Sequence, residues 1–475
     1  MRFSWTEIHS SAARCIAALF CALILSACAG QDVAPSAPIT QRSEASAQVD
    51  TSQMPTGPVE GPVLSEYQLI PGLAGSSPAV SATPMPPGAD GLIRVGLLVP
   101  LTGPSAPIGQ ALLNAAQMAM FDVGDERFVL QVYDTQGVPE GAQAATAEAI
   151  SEGVQLLLGP LFSAEVAATS PDAAAAGVNI IAFSTDPSVA SPRVFVMGFL
   201  VDEQVRHVIQ YAGTQGHLNY AVLAPNSAYG QAVVESMTRY VPRTGGKITN
   251  VAYYDPSGSD LNAVVRQLAN FDQRKSDLEE QIAELEEGLI GPDGEEDEEV
   301  LAEIEQLELR ETIGEVEFDA VLVPEQGVRL TQAATLLPFF DVDPSDVQLL
   351  GTMLWNAPGL GREPALLGGL YPAPPPESTQ RFSARYRALH GQAPPSIATH
   401  GYDAVALAAV LAQSGGMGAF SAQAITNASG FAGIDGIFRF TPEGLSQRGF
   451  AIMEVTRNGA IAVQPAPSAF EAIQF

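Results

Sequence analysis

Hydroxyl side chains follow two of the apolar runs in this sequence. Ser163 ends the stretch Gly159-Pro-Leu-Phe-Ser163, which follows an apolar run and leads into a predicted helix, and Ser184-Thr185-Asp186 follows the next run. A hydroxyl beside the free N–H groups of a helix N-terminus can bind a carboxylate, because these groups donate hydrogen bonds and favour negative charge. The two serines could equally act as helix N-caps.

The sequence contains no arrangement typical of an enzyme. It has no Gly-x-Ser-x-Gly elbow, no His-Glu-x-x-His pair and no Gly-x-x-x-x-Gly-Lys phosphate loop. The histidines of the predicted folded part are scattered without metal-like spacing: His207, His217, His390 and His400. All three cysteines, Cys15, Cys21 and Cys28, lie near the N-terminus, so the rest of the chain has no thiol. We predict a protein that is not an enzyme and that needs no metal or cofactor.

The charge is strongly acidic and unevenly distributed. The 475 residues carry a formal net charge of −31, and 46% of them are hydrophobic, enough for a large core. Asp272–Glu317 alone contains 19 acidic and 3 basic residues, a local charge of −16. An acidic surface repels a phosphate backbone, so we exclude nucleic acid as a partner.

Apolar runs that alternate with helical patterns predict βαβ units and parallel sheets. The alternation begins at Leu92 and restarts at Asn219, which predicts two lobes. The predicted strands are 92–100, 128–133, 154–159, 179–183, 219–224, 247–254, 318–323 and 347–351, and the predicted first-lobe helices are 111–121, 140–152 and one from about residue 164.

The acidic segment has helical spacing of its own. Leucine and isoleucine recur three or four residues apart on both sides of Gly291-Pro-Asp-Gly294. This pattern predicts an acidic hairpin of two amphipathic helices within 272–316, inserted in the second lobe. It could be an arm that docks on a basic protein, or a solvated excursion without a partner.

The N-terminus is typical of an exported lipoprotein. Arg2 and Arg14 precede a short apolar run that ends in Leu25-Ser-Ala-Cys28, a match to the bacterial lipobox. We predict a signal peptide at 1–27, lipidation of Cys28 and a disordered, Pro-, Ser- and Ala-rich tether at 28–91. An ordinary secretory peptide is the alternative. Ala29 after the cysteine favours the outer membrane, with the protein on the periplasmic side of the envelope.

A series of motifs resembles the leucine/isoleucine/valine-binding family of periplasmic proteins. The series is Val99 to Gly109, Tyr229-Gly230, Gly245-Gly-Lys-Ile248, Tyr254, Asp260-Leu261, Phe382, Tyr386, Gly391, Pro394, Gly401-Tyr-Asp-Ala404, Phe431 to Gly436, Phe440 and Gly444. The resemblance implies a type I periplasmic-binding fold over 92–475, with two Rossmann-like lobes joined by a hinge that the chain crosses three times. Lobe one is expected at about 92–200 and 372–435, and lobe two at about 201–371 and 436–475.

The resemblance also implies a ligand site in the cleft between the lobes. In that family a serine at the place of Ser163 contacts an amino-acid carboxylate, Ser184 and Thr185 lie where further contacts come from, and Tyr229 matches a position that touches the ligand side chain. Thr102 and Ser105 could face the cleft or simply end the first strand.

Two departures from the family argue against an amino acid as the ligand. Asp186 adds negative charge near the carboxylate position, and Thr352 to Asn356 lack the acid that pairs with the ligand ammonium. Glu325 is a possible substitute for that acid.

Two functions therefore remain. The first is a regulator of peptidoglycan synthesis that resembles lipid-anchored activators of penicillin-binding proteins. The second is the solute-binding lipoprotein of an ABC importer for branched-chain amino acids or related solutes, with an ABC permease as its partner.

Overall fold

The computed structural model of the chain describes residues 91–290, 297–414 and 418–470. The predicted signal peptide at 1–27, the lipidation residue Cys28 and the tether up to residue 90 lie outside these described residues. Within them, no helix combines the length and the apolar character that crossing a bilayer requires.

The first sheet contains five parallel strands, with helices in the connections between them. Its elements are β1 (Ile93–Val99), α1 (Ala106–Val123), β2 (Phe128–Asp134), α2 (Pro139–Ser151), β3 (Leu156–Leu158), α3 (Ser163–Ala176), β4 (Asn179–Ala182) and β5 (Val194–Val196). The strand order is β2-β1-β3-β4-β5. The inner strands β3 and β4 are buried along their whole length, as in parallel sheets covered on both faces.

Helix α1 begins five residues before the predicted start, at Ala106. A proline in its first turn is compatible with this start, because the missing N–H would be unpaired there in any case. The helix packs so close to the end of β1 that a Cβ atom added to Gly109 would lie 1.8 Å from the carbonyl oxygen of Pro100. Glycine is therefore required at this contact, which fixes the loop that carries Thr102 and Ser105.

The second lobe repeats the alternation. Its elements up to residue 373 are α4 (Val201–Thr214), β6 (Asn219–Pro225), α5 (Ala228–Tyr240), β7 (Lys247–Tyr254), α6 (Leu261–Leu268), α7 (Phe271–Gly288), α8 (Glu298–Glu308), β8 (Ala320–Leu322), α9 (Gly327–Phe339), β9 (Gln348–Leu350) and β10 (Leu370–Ala373). The strands β6 to β10 are parallel to their neighbours within this set.

The chain then returns to the first lobe and crosses back near its end. The remaining elements are α10 (Pro376–His390), α11 (Ala398–Ser414), α12 (Ala422–Ile425), β11 (Phe431–Gly433), β12 (Gly436–Phe440), β13 (Ser446–Arg448), β14 (Ala451–Thr456) and β15 (Gly459–Gln464). Strands β11 to β13 form a small antiparallel sheet, whereas β14 and β15 complete the second sheet in the order β15-β14-β10-β9-β8-β6-β7. The predicted α/β architecture with parallel sheets is confirmed.

The hydrophobic clusters locate the passages between the lobes. Phe382, Tyr402 and Phe440 pack in the cluster around the first sheet, while Tyr371 and Met453 pack in a cluster on the second. The chain therefore passes between Val196 and Val201, between Ala373 and Pro376, and between Arg448 and Ala451. The last passage comes well after the predicted boundary at residue 435, because β12 packs on the first lobe through its phenylalanines.

Two helices occupy the acidic segment. Helices α7 and α8 contact each other, and their buried apolar residues are Phe271 and Leu278 on α7 and Ile304 and Leu307 on α8. Phe271 packs in the hydrophobic cluster on the second sheet. Residues 291–296 between the helices are not described. Arg274 fixes the base of α7, since its guanidinium donates to the carbonyl oxygens of Gly314 (2.8 Å) and Asp341 (3.1 Å).

Candidate ligand-binding cleft

Polar residues gather at the carboxyl ends of the parallel strands in both lobes. In α/β proteins ligands bind outside these ends, so a cleft between the two sheets is the candidate site. The first lobe contributes the segments that follow β1, β2, β3 and β4, and the second lobe contributes those that follow β6, β7, β8 and β9.

Thr102 is held by a carboxylate of its own lobe. Its hydroxyl donates to Asp134 Oδ2 (2.7 Å), and the N–H groups of Leu101 and Gln136 donate to Asp134 Oδ1 (both 2.8 Å). Burial alone would raise the pKa of Asp134, but these hydrogen bonds lower it. Asp134 therefore stays charged and fixes the loop after β1. Ser105 precedes α1 and makes no side-chain cap hydrogen bond.

Ser163 is the first residue of α3, and the N-cap position belongs to Phe162. The Phe162 N–H donates to the carboxylate of Glu165 (3.0 Å), a fully buried residue in the first turn. Burial raises the pKa of Glu165, although hydrogen bonds from the same turn oppose the effect. N-capping by the Ser163 hydroxyl, one of the two sequence interpretations, is therefore wrong. The hydroxyl instead interacts with Asp186, whose pKa it helps to lower.

Ser184, Thr185 and Asp186 follow β4 as predicted. Ser184 is buried, and its hydroxyl accepts a hydrogen bond from the Asp186 N–H (3.1 Å). Asp186 accepts from the Ser188 N–H (2.9 Å), and hydrogen bonds from Ser188 are the main reason that its pKa is lowered. Thr185 is exposed. A charged carboxylate thus lies beside the Ser163 hydroxyl, where the family resemblance implies a ligand carboxylate.

Tyr229 stands on the second lobe, one residue into α5. Its hydroxyl lies 2.8 Å from the hydroxyl oxygen of Thr352, which follows β9 and is fully buried. Burial raises the pKa of Tyr229 to about 12, and the charge of Glu325 adds to this, whereas the bond with Thr352 opposes it. The phenol is therefore neutral at physiological pH and is engaged within its own lobe.

Glu325 follows β8 at the same edge of the second sheet. Its carboxylate accepts a hydrogen bond from the Tyr254 hydroxyl (2.6 Å), and burial followed by this contact raises the pKa of Tyr254. The segment Thr352 to Asn356 after β9 has no acid, and the indole N–H of Trp355 in it donates to the Val323 carbonyl oxygen (3.0 Å). Among the described residues that follow the strands of the second sheet, Glu325 is the half-buried acid.

The structure thus brings the predicted site residues into three groups. Thr102 and Ser105 share the loop after β1, Ser163, Ser184 and Thr185 lie around Asp186, and Tyr229 lies on the other lobe. Asp134 and Thr352 were not predicted as site residues from the sequence. Asp134 is the last residue of β2 and Thr352 is the second residue after β9, so their places at strand ends were the available signal. Their roles toward a ligand stay predictions.

A large cavity lies away from the carboxyl ends of the strands. It has a volume of about 840 Å³ and opens beside the base of α7, at the amino end of the second sheet, with Arg274, Asp319, Asp341 and Asp346 in its lining. Among the described residues, no group of three or more His, Cys, Asp or Glu side chains could hold a metal ion.

Comparisons with known sequences agree with the resemblance. Residues 92–277 match the family described as periplasmic binding protein. The chain is 24% identical to an uncharacterized protein of Rickettsia prowazekii over 38% of its own length and 47% of that protein. It is 26% identical to the penicillin-binding protein activator LpoA of Glaesserella parasuis (34% of this chain, 27% of the relative) and 24% identical to the Leu/Ile/Val-binding protein BraC3 of Rhizobium johnstonii (40% and 54%). The chain spans about half or less of these relatives.

Solved structures show the same fold over most of the chain. A protein of Rhodospirillum rubrum described as a branched-chain amino acid ABC transporter superimposes with a TM-score of 0.61 at 17% identity, over 78% of this chain and 100% of that one. An ABC transporter substrate-binding protein of Sphaerobacter thermophilus gives 0.54 at 21% identity (79% and 98%). The predicted type I periplasmic-binding fold is confirmed.

Proposed function

From the periplasmic-binding-protein domain and the type I fold that this chain carries, we propose that it is a non-catalytic regulator of peptidoglycan synthesis, anchored by lipid at the periplasmic face of the outer membrane. Its partner would be a penicillin-binding protein. The relatives named as penicillin-binding protein activators support this assignment.

The observation that carries the proposal is that the cleft residues bond to their own lobes. Thr102 donates to Asp134, the Ser184 hydroxyl accepts from Asp186, and Tyr229 pairs with Thr352. Asp186 also carries negative charge beside Ser163, where the family resemblance implies the carboxylate of an amino acid. A site that recognises a zwitterion needs free donors for the carboxylate. We therefore expect no branched-chain amino acid to bind here with micromolar affinity.

The lipid anchor and the acidic helices complete the proposal. Cys28 would carry the acyl chains, and the segment up to residue 91 would let the domain reach a partner in the cell wall. Helices α7 and α8 present exposed acids such as Glu280 and Glu303 on one side of the second lobe. These acids would dock on a basic surface of the penicillin-binding protein, since opposite charges steer association.

The deciding experiment is photocrosslinking in cells. A photoreactive amino acid is placed at Glu280 on α7, and at Gln110, an exposed residue of α1 on the other lobe, as the matched control. The proposal expects a penicillin-binding protein to be recovered from the Glu280 position and not from Gln110. Recovery of a membrane permease from either position would contradict it. A Cys28→Ser variant that stays in the outer-membrane fraction would contradict the predicted anchor.

Solute binding for an ABC importer is the second candidate. Glu325 favours it, because a half-buried carboxylate at the carboxyl end of β8 could pair with a ligand ammonium. Calorimetry with leucine, isoleucine and valine on the full chain tests this function. Micromolar binding that is lost in Glu325→Gln would support import and overturn regulation.

A further inference from the structure

A groove between α6 and α9 opens on the surface of the second lobe. It has a volume of about 570 Å³. The described residues that line it carry no charge, although the chain has a formal net charge of −31. They include Leu261, Asn262, Val328, Thr331, Gln332 and Leu336. The proposed function does not use this α6–α9 groove.

Helix α9 turns a stripe of exposed side chains toward solvent, and the stripe begins and ends with an apolar residue. Val328 is 76% exposed and Phe339 is 64% exposed. Gln332 and Thr335 lie between them, three or four positions apart, so the four side chains share one face of the helix. The opposite face packs on the second sheet, for example through Leu337. The core does not need this stripe, and exposed apolar surface of this kind is typical of an interaction site.

One end of the α6–α9 groove lies at the base of the acidic helices. Phe340, the residue after α9, packs against Phe271, the first residue of α7, with ring centroids 5.3 Å apart. The 19 acidic residues of Asp272–Glu317 begin directly after Phe271. At the other end Arg329 lies against Gly258, where an added Cβ atom would fall 2.0 Å from its Nη1. Negative charge is therefore concentrated at the α7 end of the groove.

The charge around the groove selects among its possible occupants. A second copy of the chain also carries −31, and the segment at 28–91 has six acidic residues and one basic residue, so α7 and α8 repel both. A bilayer with anionic lipids is repelled for the same reason. A helix with an apolar face and basic side chains instead gains burial in the groove and attraction from the acids. Such a helix also matches the shape of a groove between two helices.

We propose that the α6–α9 groove binds an amphipathic helix of the partner protein. Its apolar side chains would contact Val328 and Leu336, and its basic side chains would lie at the α7 end. The inference takes the identity of the partner from the proposed function, whereas the chemistry of the bound helix follows from the groove and its surroundings. The acids of α7 and α8 steer the helix, and the uncharged groove buries its apolar face.

The first test measures the binding of a synthetic peptide to the full chain in a nonionic detergent, by fluorescence anisotropy. The peptide has about 14 residues, roughly 20 Å of helix, with leucine at every third or fourth position and lysine elsewhere. A peptide of the same composition, ordered so that it has no apolar face, is the control. The proposal expects the first peptide to bind about tenfold more tightly or better. Equal affinities would overturn it, because charge alone would then explain the binding.

Two matched substitutions show whether the groove is the binding site. Val328→Asp should weaken the binding of the leucine–lysine peptide about tenfold or more, despite its added negative charge, because an apolar contact is lost. Phe121→Asp adds the same charge at an 82% exposed residue of α1 on the other lobe and should leave the affinity unchanged. Equal effects of the two substitutions would overturn the proposal. Self-association or binding to anionic vesicles that is lost in Val328→Asp would also overturn it, because a second copy or a membrane would then occupy the groove.

Photocrosslinking in cells separates this inference from the proposed function. A photoreactive amino acid at Gln332, in the groove, should capture the same penicillin-binding protein as the position of Glu280. Capture from Glu280 but not from Gln332 would overturn the groove proposal and leave the proposed function intact. Peptide binding that depends on Val328, with no penicillin-binding protein captured from either position, would support the groove and overturn the proposed partner.

Discussion

Replacing Asp403 with asparagine should change how the stability of the protein depends on pH. Burial, and then the charge of Asp435, raise the pKa of this carboxyl from its ordinary value of 3.8 to about 7. Between these values the folded state binds more protons than the unfolded state, so the wild type loses stability as the pH rises through this range. Asparagine removes the titration, and the variant should gain stability relative to the wild type with increasing pH.

The size of the effect follows from the same linkage. The difference between about 7 and 3.8 corresponds to roughly 4 kcal/mol at 1.36 kcal/mol per pKa unit. Between about pH 5 and about pH 8.5, the wild type should lose roughly 2–3 kcal/mol of stability relative to Asp403→Asn. His207 and His400 have lowered pKa values, so the free energy of unfolding rises with pH below their usual pKa. This contribution is the same in the wild type and in the variant, so it cancels in the difference between them.

Urea unfolding of the wild type and of Asp403→Asn at several pH values measures this difference directly. A constant offset between the two proteins is compatible with the reasoning, because the new amide needs its own hydrogen-bond partner at every pH. Glu280→Gln, an exposed change on α7, should give a difference that does not vary with pH. An Asp403→Asn difference that is equally flat would refute the assignment of a raised pKa.

Three further substitutions test other parts of the structure. Arg274→Met should destabilise α7 and α8 by about 1–3 kcal/mol, seen as faster hydrogen exchange there, because two carbonyl oxygens and the half-exposed Asp341 carboxylate lose the hydrogen bonds of the guanidinium; unchanged exchange would contradict this. Tyr229→Phe should cost about 1 kcal/mol in urea unfolding through the lost bond to Thr352, and a change of several kcal/mol would indicate another role. Gly109→Ala should lower the unfolding free energy by roughly 1–3 kcal/mol or more, since its Cβ would clash with Pro100, whereas Gly288→Ala in open space should be neutral or stabilising.

The alternation of strands and helices could be predicted from the sequence because apolar runs must be buried in a parallel sheet. β1, β2 and β6 lie close to their predicted ranges, while β3 and β8 are shorter than predicted at both ends. The spacing of leucine and isoleucine in the acidic segment likewise predicted helices where α7 and α8 lie. Such patterns are local and need no knowledge of distant contacts.

The candidate site was predictable only in part. The order of motifs placed Ser163, Ser184 and Tyr229 at strand ends, but it did not show which of these hydroxyls are engaged within the protein. Tyr229 and Thr352 are 123 residues apart in sequence and meet only because β6 and β9 flank β8 in one sheet.

What the sequence by itself determined is the fold class, since periodicity and composition decide which segments can be buried as strands or helices. Only the tertiary structure decided the hinge. Arg448 lies 245 positions from Glu203 in the sequence, and no spacing rule joins them. Arg448 meets Glu203 and Met197 because the first and third passages of the chain run side by side between the lobes, a contact that depends on the packed structure and not on the order of residues.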